Sequence, residues 1–124
     1  MTSPVPEERL VATMRRMELF VIESGPASAP GTLEVLPEHL AHQIRLEREG
    51  ILFGAGPVWE EGSDIPVAGM IIIRASGFEE ARRIADSDPF HIRGLRSYRL
   101  RRWNLNEGAM TVTVRLSDQS AEFR

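Results

Sequence analysis

Apolar and polar positions fall in blocks along this chain, and the blocks have two different periods. Leu19, Phe20, Val21 and Ile22 follow one another without alternation within Met17 to Glu23. Such a run reads as a strand buried on both faces. After a loop from Ser24 to Thr32, rich in Pro and Gly, the period changes. Leu36, Leu40 and Ile44 recur every four residues with Ala41 alongside, so the spacing predicts a helix with those residues as its core stripe. Pro37 suits the first helical position, Glu38 complements the helix dipole, and Gly50 ends the element. Ile51 to Ala55 reads as a short strand closed by Gly56-Pro57. Val67 to Ala75 reads as a strong strand in which Gly69 marks a bulge or a close backbone approach.

Ser76-Gly77-Phe78-Glu79 has the form of a capping box and opens a second helix. Phe78, Ala81, Ile84 and Ala85 make its buried face, and Glu79 can pair with Arg83 at i,i+4. The helix must end before Pro89. Leu95 to Asn104 reads as a strand with Tyr98 and Leu100 on one face and Arg99, Arg101 and Trp103 on the other. Met110, Val112, Val114 and Leu116 alternate with Thr111, Thr113 and Arg115, which predicts one further, half-buried strand. The residues after it read as a tail. So does the segment before Met17, where Pro4 and Pro6 leave only a short helical patch at Leu10, Val11 and Met14.

The order strand, helix, strand, strand, helix, strand gives an α+β, ferredoxin-like βαββαβ arrangement with an extra C-terminal strand. Residues 1–16 are a tail and residues 17–124 a single domain, with a core at 17–104 and a strand extension at 108–124. Helices would cover one face of an antiparallel sheet and leave the other, apolar face bare. A second copy of the chain would cover it, so a homodimer or a higher homo-oligomer is expected.

Composition narrows the chemistry. At 124 residues with no cysteine, the chain has no thiolate nucleophile, disulfide or Cys-based zinc site. All fifteen basic residues are arginine, which removes lysine Schiff-base chemistry. The net charge of −3 gives no general attraction to nucleic acid. The strands offer aliphatic residues, not the exposed aromatics that an RNA-binding sheet needs. The longest apolar runs are too short to span a bilayer, and the amino terminus has no apolar signal core. A cytoplasmic protein without membrane or nucleic-acid partners is expected.

Two of the three histidines lie on the first helix. At about 100° per residue, His39 falls roughly 60° from Leu36, at the border of the predicted core stripe. His42 falls with Glu38, Arg45 and Glu49 on the polar side and should be solvated. A neutral imidazole is the usual general base near pH 7; a histidine packed at a core edge is the structural alternative. Asp88, just before Pro89, has the form of a helix N-cap, and a carboxylate there could also orient an imidazole. His91 reads as a surface or rim residue. Arg93, Arg96, Arg99, Arg101 and Arg102 gather around the fourth core strand. They read either as partners of nearby glutamates or as a clamp for an anionic substrate. No Gly-rich dinucleotide loop is present, since Gly54-Ala55-Gly56 runs into Pro57. His39 and His42 face different ways and lack a third clustered ligand, so no metal site and no cofactor is expected.

Several short motifs together resemble the YciI-like (YCII-related) family. They are Pro37-Glu38-His39-Leu40, Glu49-Gly50, Gly54-Ala55-Gly56-Pro57, the strand around Gly69, Glu79-Glu80-Ala81 and Asp88-Pro89-Phe90. The similarity covers about Met17 to Asn104. It implies a dimeric α+β barrel on a ferredoxin-like fold, similar in fold to muconolactone isomerase, with a chlorinated-hydroxyquinol dehydrochlorinase among its relatives. It also implies a His–Asp active site, which falls here on His39 and Asp88. The resulting expectation is proton-transfer catalysis, as an isomerase or a dehydrochlorinase-like lyase, on a small oxygenated molecule, anionic if the arginines act as a clamp. Gly56, Pro57, Phe90 and Arg99 are the expected substrate contacts. The alternative is a non-catalytic small-molecule-binding or assembly module in which the same pair only ties helix to loop.

Overall fold

The computed structural model describes residues 16–124 together with Glu7, Arg9 and Met14. The helical patch expected around Leu10 and Val11 lies outside the described residues. One compact unit runs from Glu18 to Asn104; a second takes in the described residues up to Met17 together with Leu105–Arg124.

The first unit carries a four-stranded sheet. Its strands are β1 (Met17–Gly25), β2 (Leu52–Val58), β3 (Ala68–Ile73) and β4 (Ser97–Leu105), in the spatial order β2-β3-β1-β4. β3 is antiparallel to both β1 and β2. Two long helices connect the strands, α1 (Thr32–Arg48) and α2 (Phe78–Asp86), and a short helix α3 (Pro89–Ile92) follows α2. This is the ferredoxin-like order. β1 is central and buried on both faces, with Leu19, Phe20, Val21 and Ile22 all inaccessible, as its unbroken apolar run requires. On the helix side, Phe20, Ile22, Ile71 and Ile73 pack against Ala81 and Ala85 of α2, with Tyr98 and Leu100 alongside. Phe78, expected to be buried, is 45% exposed and touches the core only edge-on to Phe20 at 5.1 Å. The capping box does not form either. Gly77 is the N-cap, and Ser76 Oγ donates to Glu80 Oε2 at 2.7 Å. The Glu79–Arg83 pair is present at 3.7 Å.

α1 departs from the sequence reading in two ways. It begins at Thr32, not at Leu36, so Pro37 lies inside the helix. Ala29 and Gly31 explain the earlier start. Gly31 takes a left-handed conformation (φ 89°), and the Thr32 hydroxyl donates to Ala29 O at 2.5 Å, closing a turn from which the helix grows. The buried stripe is also rotated. It consists of Val35, His42, Gln43 and Leu46, whereas Leu40 and Ile44 are 50% and 47% exposed. The regular four-residue repeat is therefore not the core seam, and its side chains line a cavity.

β2 continues through Gly56-Pro57 to Val58 instead of stopping there. It tolerates Pro57 because it is an edge strand. The register shift falls on β2 between Leu52 and Gly54, not at Gly69. Gly69 instead marks a close approach, since a Cβ there would lie 3.3 Å from Arg96 Nη1.

In the second unit, the expected half-buried strand is half of a two-stranded hairpin, β5 (Val112–Arg115) against β6 (Ser120–Phe123). Val112, Val114 and Leu116 are all exposed, so the alternation reflects hairpin pairing without burial. The residues read as a tail form β6.

Candidate active site

Two elements bring His39 and Asp88 together. Asp88 precedes a proline, so its backbone is extended (φ −67°, ψ 128°), and this lets it serve as the N-cap of α3. Its Oδ1 accepts from the Phe90 amide at 2.9 Å. The same oxygen lies 3.0 Å from His39 Nδ1, with Oδ2 at 2.9 Å from that nitrogen. The Nδ1–H points at Oδ1, which leaves Oδ2 buried without a hydrogen of its own. Capping and orienting are thus carried by one oxygen. Because Nδ1 faces a carboxylate, it holds the proton and the lone pair of His39 sits on Nε2. Asp88 is only 2% exposed and His39 12%. Burial alone would raise the Asp88 pKa, but hydrogen bonds from His39 and the Phe90 amide outweigh it and hold the carboxyl below its ordinary value.

Phe90 is fully buried and stacks on the His39 ring with centroids 4.4 Å apart. The Arg96 guanidinium lies over the same Phe90 ring, 4.0 Å from its centroid. His39, Phe90 and Arg96 all line a cavity of about 970 Å³ between α1 and the sheet, at the upper end of the roughly 300–1,000 Å³ range of small-molecule pockets. Leu36, Leu40 and Ile44 form its helix wall; Ala55, Gly56 and Pro57 of β2 and Gly69 of β3 form its floor.

The expected site residues therefore divide. His39, Asp88 and Phe90 meet, and Gly56 and Pro57 lie along the same cavity. Arg99 does not reach it. Strand alternation sends Arg99 to the face opposite Tyr98 and Leu100, where it is exposed. The other arginines of the cluster mostly meet glutamates. Arg93 holds Glu38 through two 2.8 Å bonds, Arg102 lies 3.4 Å from Glu18, and Arg101 pairs with Glu23. Arg96 is the member that lines the cavity. Gln43, absent from the expected set, is a second polar wall residue; it is 7% exposed, and its Oε1 has no hydrogen-bond partner among the described residues.

The other two histidines are held in structural roles. His42 is buried, not solvated, at 4% exposure. Ser87 Oγ donates to Ile84 O, so it receives the Nε2–H of His42, 3.3 Å away, while Arg45 donates to Nδ1 at 3.1 Å. Burial is the main force that lowers the His42 pKa, opposed by Asp88 and aided by Arg45 and His39. His91 is half-buried. Its Nδ1–H donates to Ala85 O at 2.6 Å, and its Nε2 accepts from Ser24 at 2.7 Å. Neither residue lines the large cavity.

A ferredoxin-like sheet carrying a buried carboxylate–imidazole pair at a cavity wall defines the class of this protein. The YCII-related domain matches residues 17–104, and the chain belongs to that family. No curated protein matches it. Among solved structures it is similar to 5-chloro-2-hydroxyhydroquinone dehydrochlorinase from Burkholderia phenoliruptrix AC1100, determined in complex with 2,5-dihydroxybenzoquinone. The two are 24% identical with a TM-score of 0.57, over 68% of this chain and 92% of that one. That likeness is one of fold. Among the described residues no helix is long and apolar enough to cross a membrane.

Proposed function

We propose that this protein is a small-molecule enzyme in which His39 is the general base and Asp88 orients it. The observation that carries this reading is the hydrogen bond from His39 Nδ1 to Asp88 at the wall of the cavity. It leaves Nε2 as the basic nitrogen, and Asp88 stabilises the imidazolium that forms when Nε2 takes a proton. The chemistry best suited to such a pair is removal of a proton from carbon beside a carbonyl. The C–H electron pair moves onto the carbonyl oxygen as an enolate. Return of the proton to another carbon gives an isomer; departure of chloride from the adjacent carbon gives elimination of HCl, with the proton on His39 and chloride in solvent. The fold neighbour is a dehydrochlorinase of a chlorinated hydroquinone, which supports the second outcome as the first reaction to assay.

The test is turnover of 5-chloro-2-hydroxyhydroquinone, followed by chloride release, alongside a panel of cyclic ketones in D2O followed by loss of C–H signals. His39→Ala should lower the rate about 10²–10⁴-fold, and Asp88→Asn should lower it by weakening the same base. Unchanged turnover in both variants would remove the dyad from the mechanism. The same pair in a non-catalytic binding module would produce no turnover in the wild type.

A further inference from the structure

We propose that Arg96 is the anchor for a single negatively charged oxygen on the ligand, so that the cavity selects small, mainly apolar monoanions with Gln43 receiving a second, hydrogen-donating group. This deepens the proton-transfer reading and rests on it for the fate of the ligand, though not for its binding.

Arg96 is placed by construction. Gly94 adopts a left-handed conformation (φ 68°) at the end of α3 and folds the chain back, so that the amides of Leu95 and Arg96 both reach Phe90 O, at 3.0 and 3.3 Å. That turn returns the Arg96 side chain over the Phe90 ring. Gly69 also makes room, because any Cβ there would press on Nη1 at 3.3 Å. A planar guanidinium stacked on a ring and close to a glycine loses little freedom when it binds an oxyanion.

Its charge is also uncompensated. Arg93, Arg101 and Arg102 each lie against a glutamate, whereas Arg96 makes no ion pair within 4 Å among the described residues, and its Nε is buried without an acceptor. Asp88 acts on it only at a distance, since both its oxygens are turned to His39. A partly buried cation without a partner is costly, and an anionic ligand would remove that cost. The imidazole and the guanidinium both border Phe90 and both line the cavity, so a ligand in it has access to both. Around these groups the wall is apolar: Leu36, Leu40, Ile44, Leu52, Ile65 and Ile71. The buried Gln43 Oε1 is an acceptor without a donor among the described residues; a hydroxyl or N–H on the ligand would supply one. Glu34 and Glu47 also line the cavity and are exposed. They disfavour a second negative charge, which limits the ligand to a monoanion.

Benzoate and benzamide, equal in size and shape but different in charge, separate these terms in a ¹H–¹⁵N NMR titration. Benzoate should shift the amides of Gln43, Gly69 and Arg96 and bind at least about tenfold more tightly than benzamide, as a charge-assisted bond to a guanidinium requires. Benzoate affinity should fall with added salt, an arm that needs no variant. In Arg96→Gln, checked for a dispersed spectrum, the two compounds should bind alike; in His39→Gln the preference for benzoate should survive. Survival there, with turnover also unaffected, would overturn the base assignment and leave the anchor standing. Equal binding by the wild type, a preference that persists in Arg96→Gln, or one that disappears in His39→Gln would overturn the anchor.

Discussion

The three histidines differ by what their second nitrogen meets. His39 has one nitrogen on a buried carboxylate, and the residue lines the large cavity. His42 and His91 have both nitrogens occupied by protein groups. Burial makes His42 a stability sensor. Its pKa in the folded state is depressed below the ordinary 6.5, so as pH falls below that value the unfolded chain binds the proton more readily than the folded one. The stability associated with neutral His42 is therefore present above about pH 6.5 and lost as pH falls toward its folded pKa. Asp88 and Glu49 oppose this shift, Arg45 and His39 reinforce it, and desolvation is the largest influence. Melting temperature measured across this window should fall with acidification in the wild type and fall less in His42→Asn. An identical slope in the two proteins would show that His42 is not the sensor. Asp88 titrates in a different window. Its folded pKa lies below 3.8, so its contribution is lost only as pH drops through that still lower value.

The same scale explains what sequence could select. Asp-Pro fixes an extended residue at a helix start, and that local rule places Asp88 without reference to any long-range contact. Its pairing with His39, 49 positions away, came from the family resemblance, because spacing along a helix carries no information about a loop on the far side of a connection. Arg96 was one of five similar arginines. Only the turn at Gly94 and the space at Gly69 distinguish it, and both are properties of backbone conformation and tertiary approach.

At the scale of elements, α1 shows why amphipathic pattern can point to the wrong face. Leu36, Leu40 and Ile44 make the cleaner apolar repeat, yet they line the cavity, while the buried face mixes Val35 and Leu46 with His42 and Gln43. A cavity for an apolar ligand needs apolar walls as a core does, so periodicity alone cannot tell the two apart. The polar residues of the buried face are admitted because some of their groups find partners, as His42 does in Ser87 and Arg45. Truncation should separate the two stripes. Leu46→Ala removes a buried side chain and should cost about 2–5 kcal/mol. Leu40→Ala and Ile44→Ala remove half-exposed ones and should each cost under about 1 kcal/mol while weakening ligand binding. Urea denaturation supplies the comparison. A loss at Leu40 equal to that at Leu46 would mean that α1 packs on the face its repeat suggests.

At the scale of the whole molecule, strand order followed from the alternation of elements, because two βα units around a central hairpin leave few ways to form one sheet. The sheet face away from the helices is less open than such an order implies. Leu19 and Val21 of β1 are buried. Apolar exposure outside the cavity includes Phe53, Trp59 and Trp103, and on the β5–β6 hairpin Val112, Val114, Leu116 and Phe123. Each of these is large, and a two-stranded hairpin is only marginally stable without something to pack on. A second copy of this chain is the expected partner. Sedimentation at micromolar concentration should therefore give twice the mass of the chain, with a melting temperature that rises with protein concentration, as linked association requires. Trp103→Glu places a charge on strand β4, and Val114→Glu places one on the hairpin. If the sheet face forms the contact, the first variant should become monomeric and the second stay dimeric; if the hairpin does, the reverse should hold. A wild-type mass of one chain at that concentration would rule out both arrangements. The cavity belongs to the Glu18–Asn104 unit, so a monomeric variant that still folds should keep its preference for an anionic ligand.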